Sequence, residues 1–167
     1  MAQVGCRCGS RLSGTSVPSE YRLVVFFEHD WIEKTQRLKE LAGSFSTMPW
    51  YCPKCGRIYD FDKDGMVVEY IIEKRWNADD TPNIGDISEM SCVCGNKFSE
   101  NRRKIIAYTE IEYDKKTTGI KLISELQKPE RDVWYCPECE RIYVFENRSL
   151  KKRYVIANKR VDTKLIP

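Results

Sequence analysis

The stretch WYCPKCGRIY at residues 50–59 recurs as WYCPECERIY at residues 134–143, so one ten-residue pattern appears twice in the chain. Each copy holds two cysteines in a C-P-x-C turn, where the proline restricts the backbone and helps to aim both sulfurs at one point. A second pair, in a C-x-C-G turn, precedes each copy, with 43 residues between Cys8 and Cys52 and 41 between Cys94 and Cys136. The eight cysteines therefore form two sets of four: Cys6, Cys8, Cys52 and Cys55, then Cys92, Cys94, Cys136 and Cys139.

Each set of four cysteines predicts one zinc ion, so two ions are expected per chain. Four thiolates suit a closed tetrahedral zinc site, which leaves no coordination position for a substrate and so indicates a structural role. Disulfides are the alternative, but they are rare in reducing compartments, and a single intervening residue strains a C-x-C disulfide. A structural zinc ion contributes roughly 10–16 kcal/mol of apparent binding free energy to folding. Each half should depend on its own ion.

The repeated pattern predicts two units in the 167 residues: unit 1 at residues 1–76, a linker at residues 77–86 and unit 2 at residues 87–167. The linker is polar, contains Pro82 and Gly85, and has no apolar period. Units of about 80 residues are near the size at which a hydrophobic core alone becomes marginal. No secretory signal or membrane-spanning apolar run is evident, which predicts a cytoplasmic protein.

Strands and hairpins are predicted at matching places in the two units. Residues 21–27 and residues 104–113 are apolar runs rich in β-branched side chains, which is typical of strands. After each C-P-x-C turn, an R-I-Y triplet and a later aromatic and aliphatic run recur 84 residues apart. These runs predict a β-hairpin in each unit. Asp64-Gly65 is a strong tight-turn signal in the first, and residues 146–149 are a looser match to such a turn in the second.

One helix is predicted in each unit after the first strand. In unit 1, Asp30 is placed to cap the helix and Gly43 to end it. In unit 2, Thr117 or Thr118 is the expected cap and Pro129 the expected stop. The predicted fold class is therefore α+β and β-rich, with tandem units that each hold antiparallel hairpins and one inserted helix.

The cysteine turns and their flanking strands resemble the zinc knuckles of the zinc-ribbon superfamily, in which two hairpin tips hold one ion. They are also similar to those of small uncharacterised bacterial zinc-ribbon proteins, which imply no activity. Two features depart from the usual pattern: the first pair is C-x-C instead of C-x-x-C, and Gly56 is replaced by Glu140 in unit 2. Glycine tolerates a left-handed backbone there, so a slightly strained second site is expected. The resemblance implies a metal-supported fold and no single function.

The function predicted first is a non-enzymatic module that binds another protein. His29 is the only histidine, and the sequence has no serine elbow or phosphate loop on which catalysis could rest. Tryptophan and tyrosine anchor many protein interfaces, and the chain has 4 tryptophans and 9 tyrosines. Trp50 and Trp134 are expected to cover the zinc sulfurs. Trp76 has no counterpart in the other unit and is the candidate interface residue, packing either the two halves together or a partner.

The second interpretation is an accessory protein that binds nucleic acid through unit 2. The net charge of +3 divides into −1 for residues 1–85 and +4 for residues 86–167. The candidate contacts to an anion are Lys151, Lys152, Arg153, Lys159 and Arg160. A solvated strand face explains such a run equally well, and the slight acidity of unit 1 argues against a dedicated phosphate binder.

The third interpretation is a redox-sensing zinc protein. A C-x-C plus C-x-x-C centre is similar to that of redox-regulated chaperones, which release zinc when oxidised. Lys54, Arg57 and Arg141 stand beside cysteines, where a cation lowers the pKa of a thiol, although they would serve structural thiolates as well. This interpretation predicts reversible release of zinc by mild peroxide.

Overall fold

The computed structural model describes residues 3–13, 18–27, 49–61, 66–77, 80, 90–98, 104–119, 126 and 131–161. Within these ranges the protein is β-rich, with ten strands and one short helix. The strands are β1 (Gln3–Gly5), β2 (Arg11–Ser13), β3 (Leu23–Phe27), β4 (Trp50–Tyr51), β5 (Ile58–Phe61), β6 (Met66–Arg75), β7 (Lys104–Thr109), β8 (Arg131–Tyr135), β9 (Ile142–Glu146) and β10 (Ser149–Val161). The helix, α1, is Glu110–Thr117.

Eight of the strands form one antiparallel sheet in the order β3-β7-β8-β9-β10-β6-β5-β4. The first and last strands of this order meet, because Arg22, just before β3, forms a bridge with Trp50 of β4. Beside this bridge the amide of Tyr51 donates a hydrogen bond of 2.6 Å to the carbonyl of Tyr21. The sheet therefore closes on itself, which pairs backbone groups that an open sheet would leave exposed at its edges.

The two predicted units share this closed sheet. Strand β6 of the first half pairs with β10 of the second half, from Met66 opposite Val161 to Arg75 opposite Lys152. Strand β3 of the first half pairs with β7 of the second. The halves are thus joined along two separate strand pairs, and each half supplies strands that hydrogen-bond to strands of the other.

Side chains alternate between the inner and outer faces of the closed sheet, as the pleat of a strand requires. The inner face surrounds a cavity of about 410 Å³, and residues from all eight strands line it. On the outer face, Trp50 and Tyr59 pack against Cys6 and Cys52. A second outer cluster gathers the cysteines of the second half with Tyr143. The cysteines and the cavity therefore lie on opposite faces of the same strands.

Both predicted hairpins are present, as the pairs β5–β6 and β9–β10. The β9–β10 turn has only two central residues, Asn147 and Arg148, with φ of 50° and 60°. Two successive positive φ values identify a type I′ turn, whose twist matches that of the flanking strands. The turn lies at residues 146–149 as predicted, and it is tight although its sequence matches a tight turn less closely than Asp64-Gly65 does. The Asp64-Gly65 turn lies outside the described residues.

The strand predicted at residues 104–113 is too long, because a helix begins within it. The hydroxyl of Thr109 accepts a hydrogen bond from the amide of Glu112 at 3.1 Å, and the Glu112 carboxylate accepts one from the amide of Thr109 at 2.8 Å. This reciprocal capping box satisfies two amides that helix formation would otherwise leave unpaired. The predicted cap at Thr117 or Thr118 is therefore wrong, since α1 ends there.

Several predictions fall on residues that the structure does not describe. They are the helix from Asp30 to Gly43, His29, Pro129 and most of the linker at residues 77–86. In the part of the chain that is described, no helix has the length and apolar character needed to cross a membrane.

Candidate metal centres

The first predicted set of cysteines comes together as one cluster, here called site 1 (Cys6, Cys8, Cys52 and Cys55), with all four sulfurs within 4.8 Å of one another. The Sγ atoms of Cys6 and Cys55 are 3.4 Å apart, those of Cys6 and Cys8 are 3.4 Å apart, and those of Cys8 and Cys52 are 3.6 Å apart. Zinc–sulfur bonds of about 2.3 Å define a tetrahedron with edges of about 3.8 Å. The sulfurs of site 1 are therefore arranged nearly as a zinc ion would hold them.

The second set forms an equivalent cluster, site 2 (Cys92, Cys94, Cys136 and Cys139), again with all sulfurs within 4.8 Å of one another. The Sγ atoms of Cys92 and Cys139 are 3.2 Å apart, and those of Cys94 and Cys136 are 3.5 Å apart. None of the eight cysteines forms a disulfide. Both clusters thus offer four separate thiol ligands to a metal ion.

The C-x-C-G turns place the first two sulfurs of each site in the same way. In site 1 the amide of Cys6 donates to the carbonyl of Ser10 at 2.8 Å, and the amide of Gly9 donates back to the carbonyl of Cys6 at 2.9 Å. The corresponding bonds in site 2 are 2.7 and 2.8 Å long. Gly9 has a φ of 87°, a left-handed conformation that glycine adopts at little cost. The short turn holds the two sulfurs on one side of the chain.

The C-P-x-C turns differ at the residue after the last cysteine. Gly56 in site 1 has a φ of 76°, and its amide donates to the carbonyl of Cys52 at 2.7 Å. A Cβ atom at Gly56 would lie 2.6 Å from Cδ1 of Ile72, so a larger residue would require Ile72 to move. Glu140 replaces this glycine in site 2 and adopts the same left-handed backbone, with a φ of 55°. That conformation costs a non-glycine residue about 1–2 kcal/mol.

A tyrosine hydroxyl contacts the first cysteine of each site. The Tyr59 hydroxyl donates to the Cys6 sulfur at 3.4 Å and accepts from the amide of Arg7 at 3.3 Å. In site 2, the Tyr143 hydroxyl lies 3.1 Å from the Cys92 sulfur and accepts from the next amide in the chain at 3.1 Å. This contact was not predicted from the sequence. The sequence did contain a signal for it, because both tyrosines follow the last cysteine of their site at the same spacing.

Replacing Tyr143 by phenylalanine is expected to lower the zinc affinity of site 2 about 10–100-fold, the usual cost of removing a group that orients a metal ligand. The change removes only the oxygen that holds the Cys92 sulfur and the neighbouring amide in place. Affinity would be measured by competition with the coloured chelator pyridylazoresorcinol. Tyr154→Phe is the matched control, because Tyr154 is also buried and contacts no sulfur. Equal affinities in the two variants would contradict the orienting role.

The thiols within one cluster differ in how easily they ionise. Burial raises the pKa of Cys6 and of Cys92 to about 12. A hydrogen bond to the Ser10 hydroxyl instead lowers the pKa of Cys8 to about 6. Because a bound divalent cation favours the thiolate form of every ligand, a metal ion would remove this imbalance. The chemistry of the donor set therefore fits a thiophilic divalent ion.

An arginine stands two residues after the last cysteine of each site, and the nearby sulfur raises the pKa of its guanidinium. Arg57 of site 1 pairs with Glu69 at 3.1 Å, and Arg141 of site 2 pairs with Glu73 at 3.0 Å. Both glutamates belong to β6, so Glu73 reaches from the first half of the chain to the second. Pairing with Arg141 lowers the pKa of Glu73, which keeps it ionised at neutral pH. The arginines place positive charge beside clusters that remain anionic when they hold a divalent ion.

The five basic residues predicted to contact an anion do not share one face. They are Lys151, Lys152, Arg153, Lys159 and Arg160. Lys152 lines the inner cavity. Arg153 forms an ion pair with Glu73 at 2.7 Å, and Lys159 forms one with Glu140 at 2.6 Å. Side chains alternate between the two faces of β10, and two of the five basic residues are held in ion pairs. The five therefore do not form one continuous basic surface.

Trp76 lies at the end of β6, where it packs against the cluster that contains site 2. The ammonium of Lys74 lies 4.8 Å from the centre of its ring, and the guanidinium of Arg153 lies 5.7 Å from it. The side chain is half-buried. Trp76 thus contacts the second half of the chain, and contact with a partner stays a prediction.

Trp50 and Trp134, the tryptophans that precede the C-P-x-C turns, occupy equivalent places. Trp50 is buried in the cluster that contains site 1. Trp134 packs against the cluster that contains site 2 and stacks on Phe98, with ring centres 5.5 Å apart. Each tryptophan therefore packs in or against the cluster that contains one of the sites.

The closed sheet and its two four-cysteine clusters define a β-rich protein equipped to bind metal ions. The chain belongs to the family described as Domain of unknown function (DUF8617), whose model matches residues 2–77 and 88–160. A search among curated proteins found no match, and neither did a search among solved structures.

Proposed function

We propose that sites 1 and 2 each hold a structural zinc ion and that the chain is a tandem duplication of one zinc-ribbon unit. The closed arrangement of four sulfurs at each site supports zinc, since four thiolates satisfy its tetrahedral preference and leave no position open. The repeated turns, and the tyrosines that contact the first sulfur of each site, support a common origin of the two halves.

The function we propose is non-enzymatic binding of another protein, with the metal sites shaping the binding surface. The observation that carries this proposal is Val93, the middle residue of the second C-x-C turn, whose side chain is 55% exposed. An apolar side chain at the tip of a rigid, metal-held turn is well placed to enter a partner's pocket, because the turn loses little conformational entropy on binding. Site 1 has Arg7 at the same place, which pairs with Glu69 instead. The second turn is therefore the proposed contact.

The test is affinity capture from a lysate of the protein's own cells, with a C-terminal tag because Cys6 lies near the N-terminus. Half of each sample is treated with nuclease, and bound proteins are identified by mass spectrometry. We expect a stoichiometric protein partner that survives nuclease and that Val93→Arg loses. Val161→Arg is the matched control, since Val161 is equally exposed at 56% but lies far along β10 from the cysteine turns.

Loss of every partner on nuclease treatment would contradict this proposal and favour nucleic acid. A partner that is retained by the Val93 variant would show that the second cysteine turn is not the contact. The division of the basic residues by their ion pairs is the reason for ranking a protein above nucleic acid.

A further inference from the structure

The cavity inside the closed sheet has the size of a ligand site. Its volume of about 410 Å³ lies within the range of about 300–1,000 Å³ that is usual for small-molecule pockets. A closed sheet of eight strands leaves an interior that is either filled by side chains or able to hold one small ligand. Here the interior is not filled, and its wall is mostly apolar, with residues such as Leu23, Ile58, Val133 and Ile142.

Four tyrosines contribute hydroxyl groups to this mostly apolar wall. They form two pairs at positions 84 residues apart, Tyr51 with Tyr135 and Tyr70 with Tyr154. Tyr70 is 7% exposed and Tyr154 is 2% exposed. Neither of these two hydroxyls has a hydrogen-bond partner in the part of the chain that the structure describes. Because a buried tyrosine hydroxyl normally finds a partner, these two are available to a molecule in the cavity.

The cavity wall carries charges of both signs, and one of them, Lys152, can recognise an anionic group in the ligand. Among the described lining residues, Arg131 is engaged by Glu112 and also donates to a backbone carbonyl. Asp60 accepts a hydrogen bond of 3.0 Å from the next backbone amide. Glu146 is exposed and lies opposite Arg131 in the strand register. Lys152 also lies in the cavity wall, and its ammonium has no carboxylate partner among the described residues.

We propose that this cavity binds a small, mainly apolar molecule with one anionic group, which Lys152 and the hydroxyls of Tyr70 and Tyr154 recognise. The apolar wall buries most of the ligand, and the three polar groups fix the orientation of the ligand, as is usual in small-molecule sites. This site lies on the inner face of the sheet, opposite the cysteine clusters, and does not depend on the proposed protein partner.

The experiment uses two fluorescent probes of almost the same shape on the full-length, zinc-loaded protein. Anilinonaphthalene sulfonate carries an anionic group on apolar rings, and phenylnaphthylamine has the same rings without the charge. Both are expected to bind with one saturable site per chain. Lys152→Met should weaken the sulfonate about tenfold, the effect of losing one charge-assisted hydrogen bond, and leave the uncharged amine unchanged. Lys151→Met, one residue away and not part of the lining, is the matched control.

A second pair of variants tests where the probes bind. Ala107→Phe places a ring inside the cavity and should weaken both probes at least tenfold, whereas Ala157→Phe adds the same ring at an exposed position of β10 and should weaken neither. Zinc content and circular dichroism establish that each variant is folded. If the Ala107 variant does not fold, Tyr70→Phe and Tyr154→Phe replace it, each expected to weaken the sulfonate about fivefold. Absence of saturable binding would overturn the proposal. Equal affinities in the cavity variants and their controls would also overturn it.

Discussion

Replacing Cys52 by serine is expected to destabilise both halves of the protein together, and to lower the zinc content from two ions per chain to one or fewer. A structural zinc ion contributes roughly 10–16 kcal/mol of apparent free energy, which is as large as the whole free energy of unfolding of an ordinary domain, about 5–15 kcal/mol. The effect should spread because β6 of the first half pairs with β10 of the second along most of its length. Zinc is counted by plasma mass spectrometry under reducing conditions.

The coupling between the halves is measured by amide hydrogen exchange. In the Cys52 variant, amides of the β9–β10 hairpin should lose protection together with those of β5–β6, although β9–β10 carries no ligand of site 1. Cys136→Ser, the equivalent change in site 2, should produce the same joint loss. If each variant instead spared the hairpin of the other half, the halves would be independently stable units and the closed sheet would contribute little to cooperativity.

The sequence predicted the two four-cysteine clusters because their information is local. A C-P-x-C turn and a C-x-C-G turn each fix two sulfurs through bonds within about five residues, such as the one between Cys6 and Ser10. The repeat then indicates which turns belong together. The hairpins were predictable for the same reason, since a turn and its two flanking strands lie close in sequence.

The closed sheet was not predicted because its decisive pairings join strands that are distant in the chain. Met66 and Val161 are neighbours across β6 and β10, and Val25 and Ala107 are neighbours across β3 and β7. An alternating strand pattern is compatible with two small sheets or with one closed sheet. One signal was available: the apolar run of β6 has buried residues on both faces, with Val67 towards the cysteines and Tyr70 towards the cavity.

The error at the start of α1 came from giving more weight to an apolar run than to a cap. Residues 104–113 are rich in aliphatic and aromatic side chains, which favours a strand throughout. The T-E-I-E sequence inside this run is a capping box, and its two hydrogen bonds between Thr109 and Glu112 start the helix. A local signal with a specific hydrogen-bond pattern prevailed over composition.

Replacing Glu69 by alanine is expected to lower the free energy of unfolding by about 3 kcal/mol, the lower end of the usual cost of removing one partner from a buried ion pair. The Glu69 side chain is 3% exposed, and its two oxygens lie 3.1 Å from Nε of Arg7 and 3.1 Å from Nε of Arg57. Without it, the two arginines are left beside site 1 with like charges, and Nε of Arg57 is a buried atom. The exposure of Arg7, at 57%, keeps the expected cost at the lower end. Urea unfolding followed by tryptophan fluorescence measures the change.

The matched control is Glu73→Ala, four residues further along the same strand. Glu73 also holds two arginines, Arg141 at 3.0 Å and Arg153 at 2.7 Å, but its side chain is 29% exposed and all three groups reach water. Ion pairs in such surroundings usually contribute about 1 kcal/mol or less, because water screens the charges. The Glu73 variant should therefore be clearly more stable than the Glu69 variant. Added salt should reduce the loss of stability caused by Glu73→Ala and leave that caused by Glu69→Ala unchanged. If Glu73→Ala cost as much as Glu69→Ala, the link it makes between the halves would matter more for stability than the burial of the carboxylate.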